Sequence, residues 1–164
     1  MRDEIESGLP RHVAVSWSNM PDPEHAAREA AQGIKTHDTC FVLALIPPGH
    51  DTDVLARVFA EVLDSVPVFG CTTAGQITPN GYEADALMLI GFGRDHFRCA
   101  STLIAPLKPL SITGISDTMT RANAKFPRTA GWNRLALVFA DGLSKQEDLL
   151  ASVLESVLAD IPVF

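Results

Sequence analysis

DVLARVFAEVLDSVPVF, residues 53–69, returns at residues 148–164 as DLLASVLESVLADIPVF, without a gap and at a constant offset of 95 positions. Nine of the seventeen positions are identical: Asp53/Asp148, Leu55/Leu150, Ala56/Ala151, Val58/Val153, Val62/Val157, Leu63/Leu158 and the closing Pro-Val-Phe triplet. Unrelated stretches would agree at about one position in fifteen by composition. The match therefore reads as duplication rather than as two amphipathic helices that look alike. In the first copy Val54, Leu55, Val58, Phe59, Val62 and Leu63 fall at helical spacing before a short apolar run of strand type.

Carried backward, the same offset lays Cys40–Ala44 on Leu135–Phe139, one apolar run upon another. Thr39–Ile46, closed by Pro47-Pro48-Gly49, has the continuous apolar character of a strand covered on both faces, and Arg134–Ala140 is of the same type. Arg11–Ser18 alternates as a strand. Asp22-Pro23-Glu24 then offers an N-cap with proline at the first helical position, for a helix reaching about Gly33. The pattern predicts a helix over Asp51–Ser65, a strand over Val66–Cys71 and turns within Ile77–Tyr82. Ala84–Phe92 and His96–Ala105 read as two strands whose short link, Gly93-Arg94-Asp95, makes an antiparallel hairpin. Ser116–Phe126 is helical in character, and Ser144-Lys145-Gln146-Glu147 has the form of a capping box opening a helix that ends near Asp160.

The expected fold is α/β, built of two strand-helix-strand-helix-strand units over about residues 11–92 and 96–164, with an antiparallel hairpin. The first copy runs on from Phe69 into a glycine loop, whereas the second reaches Phe164 where its counterpart would begin, so the second unit is expected to be incomplete.

The 164 residues are 46% hydrophobic and 20% charged, the proportions of a globular chain. A net charge of −7 and a pI near 5.1 speak against a nucleic-acid partner, which needs a concentrated basic surface. No apolar run approaches the roughly 18 residues of a membrane span, and Met1–Pro10 lacks the apolar core of a signal peptide, so a cytoplasmic location is expected. Three cysteines without CxxC spacing suit reduced thiols, with Cys40 and Cys99 as small buried hydrophobes.

Ligands of parallel sheets collect at the carboxyl ends of strands, where loops converge and backbone donors are exposed. Four loops qualify: 16–19, 47–51, 70–75 and 141–144. Gly70-Cys71-Thr72-Thr73-Ala74-Gly75 is the most informative, since small residues and paired hydroxyls allow close approach to backbone N–H groups. It is neither a phosphate-binding GK[ST] loop nor a GxGxxG fingerprint, and two glycines could simply permit a tight strand exit. Trp17 could stack on a ligand or pack, and Asp141 could offer a carboxylate or form an Asp-Gly turn. Cys71 has no His or Asp near it in sequence to activate it, and the five histidines are too dispersed for a metal motif. His50, on the proline-rich loop, is the best single ligand candidate.

Val66-Pro67-Val68-Phe69 leading into Gly70–Gly75, then Gly81-Tyr82, an apolar strand and Leu135–Gly142, resembles the FIST N-terminal domain. The resemblance covers most of the chain. It implies an intracellular sensory domain of bacterial and other signal-transduction proteins, one that is not an enzyme. It further implies a small ligand such as an amino acid and a partner in a C-terminal FIST domain. Gln76 departs from the pattern, standing where many relatives carry glutamate. Some members resemble heme-binding nitric oxide sensors, which would call on His50 or His12 as axial ligand. A thiol enzyme using Cys71 and an assembly role are the remaining readings.

Overall fold

In a computed structural model, the structure describes residues 12–164, so Met1–Pro10 and Arg11 of the expected first strand lie outside the described residues. The chain divides between Arg98 and Cys99 into two compact units, each with its own apolar core.

The first unit contains β1 (Val13–Ser18), α1 (Pro23–Ala31), β2 (Thr39–Ile46), α2 (Thr52–Val62), β3 (Val68–Thr72), β4 (Gln76–Thr78), β5 (Gly81–Glu83) and β6 (Leu87–Gly93). Asp22 caps α1 as expected, accepting the His25 N–H at 2.8 Å, with Pro23 in the first turn. Four strands form one sheet in the order β1-β6-β2-β3. β6 is antiparallel to β1 and β2, while β2 and β3 are parallel, so β1, β2 and β3 all run the same way.

Both helices cover one side of this sheet, where Val42, Ala44, Leu87 and Leu89 meet Ala26, Ala27 and Ala30 of α1 and Leu55, Val58 and Phe59 of α2. The register places Val13, Val15 and Trp17 on the opposite side, in line with Phe92, Ile90 and Met88, then Phe41, Leu43 and Leu45, then Phe69 and Cys71. Both faces of β2 are therefore apolar, which explains its uninterrupted sequence.

The expected hairpin of 84–92 with 96–105 does not form. Its first arm becomes β6, in the middle of the sheet, and the antiparallel hairpin of this unit is β4–β5. No strand occupies 96–105. Its residue Ile104, with Leu107 and Leu110 beyond, packs instead against the second core.

The second unit holds α3 (Ile112–Ala124) and α4 (Glu147–Leu158), which share a core around Ile115, Leu150, Val153, Leu154 and Leu158. The run over Arg134–Ala140 pairs in parallel with the segment after α4 through one bridge, Ala136 to Val163. There the Ala136 N–H donates to the Pro162 carbonyl at 2.8 Å, as the Val42 N–H donates to the Pro67 carbonyl at 2.9 Å in the first unit. Val42 is paired with Val68. The second strands thus keep the offset of 95, while the first strands differ by 94, from Val42 to Ala136. Set on these hydrogen bonds, Val42 matches Ala136 rather than Leu137, so the alignment of Cys40–Ala44 with Leu135–Phe139 is shifted by one and the second unit has one residue more than the first between strand and helix. The facing of the strands agrees with this pairing, since Ala136 and Val138 meet their core as Val42 and Ala44 meet theirs.

The capping box also fails. Ser144 ends a 3-10 turn, Lys145 takes a left-handed conformation, and α4 starts after Gln146 with no side-chain cap. Among the described residues no helix is long and apolar enough to cross a membrane.

Candidate functional site

The carboxyl ends of β1, β2 and β3 meet at one edge of the first unit's sheet. Ser18 closes β1, buried, with its hydroxyl donating to Oε2 of Glu29 at 2.5 Å and accepting the Met20 N–H at 3.2 Å. β2 leaves through buried Pro47 into a turn in which the His50 N–H donates to the Pro47 carbonyl at 3.2 Å. β3 leaves at Thr73, whose N–H donates to the Ile46 carbonyl at 2.8 Å.

The chain then forms the β4–β5 hairpin, and its pattern is inverted. Alternation puts Gln76, Thr78 and Glu83 on one face and Ile77 and Tyr82 on the other. A hairpin ordinarily buries its apolar face. Here Gln76 is 2% exposed and Thr78 5%, while Ile77 is 84% exposed and Tyr82 70%.

Thr78 is satisfied within the turn, donating to the Gly81 carbonyl at 3.3 Å and accepting the Asn80 N–H at 3.1 Å. Gln76 is satisfied by half. Its Nε2 donates to the Leu45 carbonyl at 3.0 Å, which ties the hairpin to the end of β2 and leaves Oε1 buried with no partner among the described residues. Glu83 stands directly across the ladder from Gln76, and its Oε2 is also buried and unpartnered, as is Nδ1 of His50. A buried polar group left unmet costs about 1–3 kcal/mol, more if charged. Gln76 and Glu83 thus carry two unmet acceptor oxygens on the same face of the hairpin.

The model of the FIST N domain matches residues 13–164. The chain belongs to the FIST N domain family. No curated protein and no solved structure matches it. FIST domains are sensory domains of signal transduction, which is consistent with a role other than catalysis.

In this FIST N domain the expected glycine loop is shorter than its sequence suggests, since Gly70, Cys71 and Thr72 belong to β3 and only Thr73, Ala74 and Gly75 form the loop. Gly70 is required by packing: a Cβ there would overlap the Ala44 carbonyl oxygen of β2. Gly75 has φ +149°, and the Tyr82 ring occupies the space a Cβ would need. The Tyr82 hydroxyl donates to the Ala74 carbonyl at 3.0 Å, fastening hairpin to loop.

Cys71 lies on the sheet face away from the helices, and burial pushes its thiol pKa up, the reverse of the activation a nucleophile needs. Trp17 shares that face and even that row, but β6 and β2 intervene, so it stands three strand spacings from Cys71, roughly 14 Å. One small ligand does not bridge them. Asp141 lies in the second unit and is spent on a cap, its Oδ1 accepting the Leu143 N–H at 2.9 Å. His12 packs on His96 with ring centroids 3.5 Å apart, at the opposite edge of the sheet from His50. Cys99 is exposed and outside any strand, contrary to its reading as a buried hydrophobe. Among the described residues no group of three or more His, Cys, Asp or Glu is placed to hold a metal.

Gln76 and Glu83 were not among the expected site residues. The signal for them was the polar-apolar-polar alternation of Gln76-Ile77-Thr78 and of the arm ending in Glu83, on either side of Pro79-Asn80.

Proposed function

We propose that this FIST N domain senses a small, amino-acid-like molecule at the carboxyl ends of β1, β2 and β3, beneath the β4–β5 hairpin. The inverted hairpin carries this reading: Gln76 and Glu83 face each other across the ladder with Oε1 and Oε2 as buried, unmet acceptors, and an ammonium group supplies several donors to such a pair. Thr72 and Thr73 add hydroxyls at the same strand end. Binding draws the hairpin onto the sheet edge, and the outward Ile77 presents the change to a C-terminal FIST domain or another signalling partner. Such a signal requires the ligand to prefer one hairpin position over another.

Heme is the alternative occupant, with His50 as axial nitrogen because Nδ1 is unengaged. Porphyrin needs an apolar slot, and the polar row of Gln76, Thr78 and Glu83 favours a polar ligand instead.

Melting temperature is the test, screened with the amino acids, simple amines and heme, because ligand at about 100 times its Kd stabilises by about 2.7 kcal/mol. The expected result is a selective rise that Gln76→Leu and Glu83→Gln abolish and Cys71→Ala preserves. A flat screen, or a rise that both hairpin variants keep, overturns the reading. A Soret band on heme addition that His50→Ala removes decides for heme.

A further inference from the structure

The second unit holds a cleft of about 630 Å³, lined among others by Arg128, Thr129, Trp132, Asn133, Arg134 and Asp160. Its volume falls within the roughly 300–1,000 Å³ of small-molecule sites. Arg128 is paired with Asp160 at the wall of the cleft, which cancels one of its two guanidinium charges. Arg134 is held by its Nη2, which donates to Oδ1 of Asn123, while its Nε is buried with no partner among the described residues. An arginine cannot relieve a buried unmet donor by losing its proton, as a lysine or histidine can. The remaining relief is an acceptor brought from outside.

We infer that this cleft is a second ligand site, distinct from the hairpin site in residues and opposite in charge preference, and that it takes an aromatic carboxylate. Carboxylate follows from the charge count, since the lining carries one net positive charge, which a monoanion balances and a phosphate dianion exceeds. The planar fork of a guanidinium also matches the plane of a carboxylate. The aromatic body follows from Trp132, an aromatic residue in the lining of the same cleft, against which a second ring packs favourably.

Benzoate, benzamide and phenyl phosphate are suitable probes, read by fluorescence in a Trp17→Phe background so that Trp132 is the sole indole of the chain. Benzoate produces a saturable change, and the uncharged benzamide binds at least about tenfold more weakly, the effect of losing a charge-assisted hydrogen bond. Arg134→Gln weakens benzoate by a similar factor, and Arg134→Lys, which keeps the charge without the fork, recovers part of the loss. No saturable change with benzoate overturns the inference, as does benzamide binding equally well, phenyl phosphate binding more tightly, or indifference to Arg134→Gln. Should Arg134→Gln fail to fold, the benzoate and benzamide comparison in the Trp17→Phe protein decides alone. Gln76→Leu leaves benzoate binding unchanged, which separates this site from the hairpin site.

Discussion

The segment running from β2 through α2 to β3 and the segment over 134–164 make corresponding parallel hydrogen bonds, to Pro67 and to Pro162, yet their outer faces differ. In the first unit Phe41 stacks on Phe92, with centroids 4.5 Å apart and planes 8° from parallel, and has Phe69 at 6.2 Å. In the second, Leu135, Leu137 and Phe139 stand on the corresponding face at 67%, 53% and 49% exposure. The helix-facing side is satisfied in both units by helices following closely in sequence. The other side depends on neighbouring strands, and β6, which lines Met88, Ile90 and Phe92 beside β2, has no equivalent among the described residues of the second unit. A strand-helix-strand motif thus completes one face by itself and leaves the other to the sheet.

The largest expected effect comes from Leu63 and Leu158, which are equivalent in the repeat and are both buried. Leu63 sits in the larger core, packed tightly enough that truncation leaves a cavity, so Leu63→Ala should cost about 2–5 kcal/mol. Leu158→Ala should cost less, because a smaller and more open core collapses around the gap. Urea unfolding followed by amide exchange in each unit measures both losses. Equal losses in one shared transition would remove the distinction between the units.

Helix starts give a smaller contrast. Asp51 caps α2, its Oδ1 accepting the Asp53 N–H at 2.9 Å and the Val54 N–H at 3.3 Å. Gln146, at the equivalent position, gives α4 no side-chain cap. Asp51→Ala should cost about 1 kcal/mol. Gln146→Asp should return only a few tenths, because φ −119° and ψ 10° hold that residue away from the extended geometry of a good cap. A gain from Gln146→Asp as large as the loss from Asp51→Ala would show that residue type alone, and not backbone, separates the two starts.

Where local chemistry decides the structure, the sequence was legible. Thr39–Ile46 emerges as a strand with the bounds its apolar run suggested, and Asp22-Pro23 caps the helix it announces. The misses need information from elsewhere in the fold. The 96–105 stretch has strand composition but no partner strand, and its Phe97 turns edge-on to Phe92 at 5.1 Å. The one-residue slip between the copies hides in uniformly apolar runs, where neighbouring registers look alike. Gly70 looked like a ligand loop because the approach of the Ala44 carbonyl is invisible in one dimension. For Gln76 and Glu83, alternation says which residues share a face but not that the polar face turns inward. The chain departs from ordinary patterning at that hairpin, which is the ground on which a ligand site is proposed there.

The smallest expected effect is acid sensitivity, and it too distinguishes the units. Glu24 accepts from Arg28 at 2.9 Å and from Arg57 at 3.5 Å, and Arg28 also reaches Glu61 at 2.8 Å, linking α1 to α2. The Arg28 hydrogen bond, followed by that of Arg57, holds the Glu24 carboxyl below the usual range, and the His25 N–H does the same for Asp22. A carboxyl with a depressed folded pKa contributes stability that is present above its unfolded value, about 4.3 for glutamate, and is lost as pH falls through the folded value. The first unit should therefore weaken slightly from about pH 4 downward, less at high salt because these groups face solvent. Glu24→Gln should flatten this part of the pH profile of the first unit's amide protection and leave that of the second unit unmoved. If both profiles flattened together, the linkage would belong to the whole chain and the independence of the two cores would fail.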